Sequence, residues 1–163
     1  MFVRTASERD LAAVRALLVE TWHATYDAIY GAERVTKITD EWHSLAKLKA
    51  NLERPRSEFL VADDGKMLGG MAYARAGDDG KIVTIHQLYV RPASQRLGIG
   101  KMLLAEIEDS FPEAKTLRLE VVEDNHRALA FYRANGFVIA DRQEDKTTHA
   151  SGLVIFNCEK QLG

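Results

Sequence analysis

The chain has 163 residues, 46% of them apolar and 28% charged, with a formal net charge of −2, which is ordinary globular composition for one domain over residues 1–163 with a sizeable core. The near-neutral balance argues against a general binder of nucleic acid or of an anionic membrane, and no apolar run approaches membrane-spanning length or forms a leader. The single Cys158 excludes an internal disulfide framework, so the reducing cytoplasm is the expected compartment.

Phe2, Val3, Arg4 and Thr5 make a short strand candidate, and Ser7-Glu8-Arg9-Asp10 reads as a capped helix start. Leu11, Val14, Leu17 and Leu18 supply an apolar face that continues through Trp22, Tyr26 and Tyr30, with Gly31 as the stop. The aromatic series reads first as core packing, and His23 and Thr25 beside it give one wall of a pocket as the sharper alternative. Residues 32–43 read as a loop with a short helical turn, and residues 44–52 (SLAKLKANL) as a second helix stopped by Pro55.

The character then changes to strands. Residues 58–62 form one, Asp63-Asp64-Gly65-Lys66 a hairpin turn, and residues 67–76 a second strand, with Gly69-Gly70 marking a bulge or a close approach. Another tight turn at residues 77–80 precedes a third strand over residues 81–90 (KIVTIHQLYV). Beyond it come a helix ending near Phe111-Pro112, a strand over 116–122, a helix over 124–135 closed by Asn135-Gly136, and strands from 137–140 and 152–158 around a polar turn at 141–151. The order implies an α/β (α+β) fold with a mixed sheet flanked by helices, in which strands 82–90 and 116–122 run parallel because a helix connects them.

The chemistry concentrates where the third strand ends. After Leu88-Tyr89-Val90, Arg91-Pro92 stops the strand, and Gln95-Arg96-Leu97-Gly98-Ile99-Gly100-Lys101 opens a helix whose Ile99, Met102, Leu103 and Ile107 share a face. Two glycines allow close approach of the main chain, free amides at a helix start attract an anion, and Arg96 and Lys101 add positive charge. The features suit a phosphate cradle or a structural turn. The run is neither a nucleotide P-loop, lacking Gly-Lys-Ser/Thr, nor the dinucleotide fingerprint, since Leu103 stands where a third glycine is needed.

This Gln/Arg-x-x-Gly-x-Gly turn after a strand resembles the coenzyme A signature of the GNAT superfamily of N-acetyltransferases. A second motif, from Leu117 through Glu120, Asn125, Ala128, Phe131-Tyr132 and Gly136-Phe137, is similar to the pattern that follows it in that superfamily. The resemblance spans nearly the whole element order and is most specific over residues 82–137. It implies a mostly antiparallel sheet whose two parallel strands splay apart, with acetyl-CoA as cosubstrate and no metal. The pantetheine arm would bond to Leu88, Tyr89 and Val90, and the pyrophosphate would sit on the amides around Gln95, Arg96, Leu97, Gly98, Ile99, Gly100 and Lys101. Asn125 matches the asparagine that contacts the pantetheine arm, and Tyr132 the tyrosine near the thioester sulfur.

The implied reaction needs a base, because an amine of pKa about 10.4 is protonated at neutral pH. Glu120 matches a glutamate proposed as base in ribosomal-protein alanine N-acetyltransferases, while His86 has a suitable ordinary pKa near 6.5; the sequence leaves both open, with His23, His43 and His149 weaker. The five histidines and one cysteine show no metal-ligand spacing. The leaving thiolate needs a donor, the expected role of Tyr132, and the Leu88 or Tyr89 N–H is the expected donor to the oxyanion.

Trp22, His23 and Tyr26 are the expected acceptor contacts, in a run that looks similar to spermidine/spermine-type enzymes, whereas Leu119-Glu120-Val121 points toward protein N-terminal acetylation. Nine acidic and nine basic residues between positions 1 and 60 give no electrostatic bias. A small-molecule amine is the expected acceptor, with a peptide amine or a non-catalytic acetyl-CoA sensor as alternatives, and monomer against homodimer is left open.

Overall fold

A computed structural model describes residues 1–95, 97–145 and 153–163. Its centre is a seven-stranded sheet in the order β1-β2-β3-β4-β5-β7-β6, made of β1 (Phe2–Thr5), β2 (Ser57–Asp63), β3 (Leu68–Ala76), β4 (Ile82–Val90), β5 (Thr116–Val122), β6 (Val138–Asp145) and β7 (Leu153–Gln161). Every pair is antiparallel except β4 with β5. That parallel pair follows from its helical crossover, as the sequence leads one to expect.

Two layers of helix cover the sheet. On one face lie α1 (Leu11–Tyr30), α2 (Ala32–Trp42) and α3 (Leu45–Glu53); on the other lie α4 (Ile99–Ser110) and α5 (His126–Ala134). Alternation along β3 sorts the core: Ala72, Ala74 and Ala76 pack under α4 and α5, while Met71 and Tyr73 pack with Val14, Leu17 and Leu48 on the α1 face. The start of α1 is fixed by Asp10, whose carboxylate accepts from both Arg4 terminal nitrogens at 2.9 Å and from the Ser7 N–H at 2.8 Å.

Three local features differ from, or sharpen, the sequence reading. Residues 32–42 form a full helix rather than a loop with one turn. Val35, Ile38 and Trp42 share its inner face, but β-branched Thr36 and Thr39 lower its intrinsic propensity, so tertiary packing supplies what local preference does not. Strand β6 continues through Asp145 although its second half is polar, because pairing with β7 rather than burial holds it. Residues 146–151 of the expected turn, His149 among them, and Gly152 at the expected start of the last strand lie outside the described residues. Finally, Gly69 is the extra residue of a bulge opposite β2, and a Cβ on Gly70 would stand 2.9 Å from Ile99 Cγ2 and 3.0 Å from the Tyr89 carbonyl oxygen. The glycine pair therefore does both things expected of it, and it lets the first turn of α4 press directly onto the sheet.

Candidate active site

The site begins with a defect in the sheet. Strands β4 and β5 pair from Ile82↔Thr116 to Ile85↔Leu119 and no further. Beyond that point β4 remains bonded to β3 as far as Val90↔Gly70, and β5 remains bonded to β7 as far as Val122↔Ile155. The strands thus fork, each following its outer neighbour. A β-bulge at His86, which has no counterpart between Tyr73↔Gln87 and Ala74↔Ile85, adds twist to β4 at the vertex.

Which main-chain groups face the fork follows from alternation. The Arg91 N–H bonds the Gly69 carbonyl at 2.8 Å, and the Tyr89 carbonyl also lies on the β3 side. Leu88 and Val90 therefore turn their N–H and C=O groups to the gap. Of the Leu88 and Tyr89 amides, Leu88's is the one that faces the gap, because Tyr89 bonds toward β3.

At the mouth of the fork stands the N-terminus of α4. Gly98 caps it with φ 78°, a left-handed conformation that a side chain resists. The Met102 N–H returns to the Gly98 carbonyl at 3.0 Å, so the amides before it have no helical acceptor. A Cβ on Gly98 would meet nothing within 4 Å, whereas one on Gly100 would stand 3.1 Å from the Phe131 ring. The two glycines thus differ in use: Gly98 makes a left-handed turn beside open space, and Gly100 lets α4 pack against α5. Leu97 and Lys101 are exposed, and Ile99 is buried. Arg96 lies outside the described residues. Gln95 donates to the Val90 carbonyl at 3.3 Å and accepts from Arg127 of α5. Sequence reading missed Arg127, although a cation in the first turn after Asn125 was visible.

Helix α5 closes the fork from the other side. Asn125 caps it by accepting from the Ala128 N–H at 3.1 Å, and its amide donates to the Tyr26 hydroxyl at 3.1 Å. Tyr132 is buried among Phe131, Phe137 and the β5 side chains, and its hydroxyl has no hydrogen-bond partner among the described residues. Burial pushes its phenol above the usual range, with Tyr89 and Cys158 as further charge neighbours. Tyr26 is likewise raised by burial and senses Tyr89 and Tyr132, and burial pushes Tyr89 up to about 12. Tyr26 from the α1 face, Tyr89 from β4 and Tyr132 from the α5 face are electrostatic neighbours, as the separation of β4 from β5 permits.

The α1 face of the vertex carries both base candidates. His86 and Glu120 are the first residues beyond the last pair, Ile85↔Leu119, where the strands part; both are exposed. His86 stacks on Tyr73 with ring centroids 5.7 Å apart. Partial burial, then the charges of Arg54 and Arg75, lower its pKa below the ordinary imidazole value. Trp22 and Tyr26 sit in the core, their rings 4.5 Å apart, rather than on an open wall. His23 is bound to Asp27 at 2.6 Å and to Thr36 at 3.3 Å, fastening α1 to α2. His43, in contrast, is 3% exposed, lies 6.0 Å from the Tyr89 ring and leaves its Nε2 without a partner. Burial, with Lys47 and Arg15 nearby, lowers its pKa to about 4, so it is a neutral imidazole.

Known proteins resemble this chain in sequence and in fold. The model of the acetyltransferase (GNAT) family matches residues 12–137. The chain is 30% identical over 146 residues to the spermidine N(1)-acetyltransferase of Thermoplasma acidophilum, covering 85% of this chain and 89% of that protein. It is 29% identical over 142 residues to the peptidyl-lysine N-acetyltransferase YiaC of Escherichia coli, covering 85% and 84%. Among solved structures it superposes on the PaiA N-acetyltransferase of Thermoplasma acidophilum, determined in complex with coenzyme A, with a TM-score of 0.84 at 26% identity over 99% of this chain and 98% of that one. Since the family model runs through both motifs and across most of the sequence, this chain belongs to the GNAT family of acetyltransferases.

Proposed function

We propose that this chain is an acetyl-CoA-dependent N-acetyltransferase that moves an acetyl group to the primary amine of a small molecule by direct attack on the thioester. The observation that carries the reading is the fork, in which Leu88 and Val90 offer main-chain donors and acceptors that one extended ligand can satisfy. The pantetheine arm has the required amides. Along β4, the fork from His86 to Val90 leads to the α4 amides, where a diphosphate meets a helix N-terminus flanked by Lys101 and Arg127.

The residues divide the chemistry as follows. Glu120 or His86, directly or through water, takes the proton that the attacking amine must lose. The lowered pKa of His86 keeps it unprotonated at neutral pH. The Leu88 N–H donates to the carbonyl oxygen as that oxygen gains negative charge. The new N–C bond displaces the C–S bond, and the sulfur finally holds the proton given up by nitrogen. Tyr132 faces this sulfur in the reading. Its phenol lies above an ordinary tyrosine near 10, and a thiol is nearer 8.5, so complete proton transfer from it runs uphill. Tyr132 therefore acts by donating a hydrogen bond to the sulfur as charge collects there, with solvent completing the protonation.

Calorimetry with acetyl-CoA, followed by thiol release across a panel of amines, tests the reading. Saturable binding and turnover on small amines support it; binding without turnover on any amine would leave a sensor instead. The similarity to a peptidyl-lysine enzyme favours a protein acceptor as the second reading, and acetylated peptides with inert small amines would decide for it.

A further inference from the structure

Below the vertex of the fork, on the α1 face, the sheet carries a row of side chains. Arg75 of β3 pairs with Thr84 of β4, Thr84 pairs with Arg118 of β5, and Arg118 pairs with Glu159 of β7. Cross-strand partners point to the same face, so Arg75 and Arg118 stand on either side of Thr84, on strands whose backbones are about 10 Å apart. These three residues, with Arg56, Asp78 and His86, line a depression of ≈ 460 Å³, within the size range of small-molecule sites.

The charges here are incompletely neutralised. Arg118 spends its Nε–H on Glu159 at 2.6 Å, leaving the other donors of its fork. Arg56 contacts Asp78 at 3.2 Å, and that aspartate is fully exposed. The Arg75 side chain makes neither an ion pair nor a hydrogen bond among the described residues, and the residue is half-buried. Arg56 also holds φ 57°, the one non-glycine residue at positive φ among the described residues. Such a conformation is costly for a long side chain and concentrates at functional sites. Planar guanidiniums match a carboxylate or phosphate in geometry as well as charge.

Resting on the acetyltransferase reading above, we infer that the depression beside His86 holds an anionic group of the acceptor, so that the substrate is an amine bearing a carboxylate or phosphate rather than a polyamine. Thr84 lies two residues along β4 from His86, about 6.6 Å at the usual rise per residue. The anionic group is therefore separated from the reacting nitrogen by several bonds, as in an ω-amino acid. A diamine of the same length would bring a second cation against Arg75 and Arg118 and is rejected.

The test uses ω-amino acids from 3-aminopropanoate to 6-aminohexanoate, each beside its amide and the diamine of equal length, with 3-aminopropylphosphonate as the phosphorus arm. Thiol release gives kcat/KM, and calorimetry on the coenzyme A-loaded protein covers any probe that is not turned over. The acid should exceed its amide by about ten- to a hundred-fold, the worth of a charge-assisted contact, and the diamine should be poorest. The phosphonate distinguishes the two anions. R75Q should bring the acid-to-amide ratio near one, R75K should restore part of it, and retained acetyl-CoA binding establishes that the variants fold. Amides or diamines preferred over every acid, or an unchanged ratio in R75Q, overturn the inference while leaving the enzyme reading intact. No heat with acetyl-CoA in the wild type overturns the enzyme reading instead.

Discussion

Asn125 donates to the Tyr26 hydroxyl at 3.1 Å across 99 residues of chain. One side chain thus starts helix α5 and ties the helical layers on opposite faces of the sheet. Replacing it removes the Ala128 cap and leaves a buried phenol without its donor. Asn125→Ala should cost about 1 kcal/mol for the cap alone, read as a lowered denaturant midpoint. Combining it with Tyr26→Phe should give less than the sum of the single effects, since both remove the same contact. Strict additivity would mean that the contact contributes nothing.

Tyr132→Phe keeps the buried ring and deletes only the hydroxyl. If the phenol stabilises charge on the leaving sulfur, kcat falls about ten- to a hundred-fold while the affinity for acetyl-CoA in calorimetry changes little. An unaltered single-turnover rate would remove Tyr132 from the reaction.

The two glycines of the cradle should respond differently to alanine. At Gly98, φ 78° is strained for alanine by about 1 kcal/mol, and the new methyl enters the open cradle, so acetyl-CoA binding weakens. At Gly100 the methyl meets Phe131 at 3.1 Å, so the main loss is in stability as α4 and α5 are pushed apart. Paired calorimetry and thermal melts separate the effects; equal loss of binding in both variants would contradict this division.

His43 predicts a pH dependence of folding. Its imidazole falls to about 4 in the fold, against about 6.5 in the unfolded chain. Between those values the unfolded state binds more protons, so stability decreases as the pH drops from 6.5 toward 4 and is unaffected by this group above 6.5. The full loss is about 3 kcal/mol. Urea melts at pH 7 and pH 4.5 should show a smaller difference in His43→Gln than in the wild type, although that variant starts from a lower stability.

The pH–rate profile can choose the base. If His86 serves, the acidic limb of kcat/KM falls below pH 6.5 because its pKa is lowered, and His86→Gln abolishes that limb while Glu120→Gln leaves it. The reverse result assigns the role to Glu120.

Much of this is legible in the chain itself. The strand ending at Val90, the proline, the glycines and the apolar face of α4 are all local signals, and together they locate the turn that opens α4. Asn125 and Tyr132 fall where the second motif requires them. What escapes depends on register. Arg75, Thr84 and Arg118 are each unremarkable strand residues, and only the pairing of β3, β4 and β5 sets them in line. His43 stands out no more than the other histidines because burial beside Trp22 and Tyr89 is created by α2, whose helical character local propensity conceals. Trp22 and Tyr26 are legible as a series that favours core, and the structure buries both; spacing tells which residues share a face, whereas a pocket wall depends on what covers it.

The forked pair also bears on self-association. A strand with unsatisfied backbone normally invites another polypeptide to add to the sheet, the route to aggregates. Here that edge is interior to the sheet, between β3 and β5, rather than at its rim, where β1 and β6 stand. The unpaired stretch of β4 is thus set inside the sheet, away from the rim strands that ordinarily recruit a neighbouring chain.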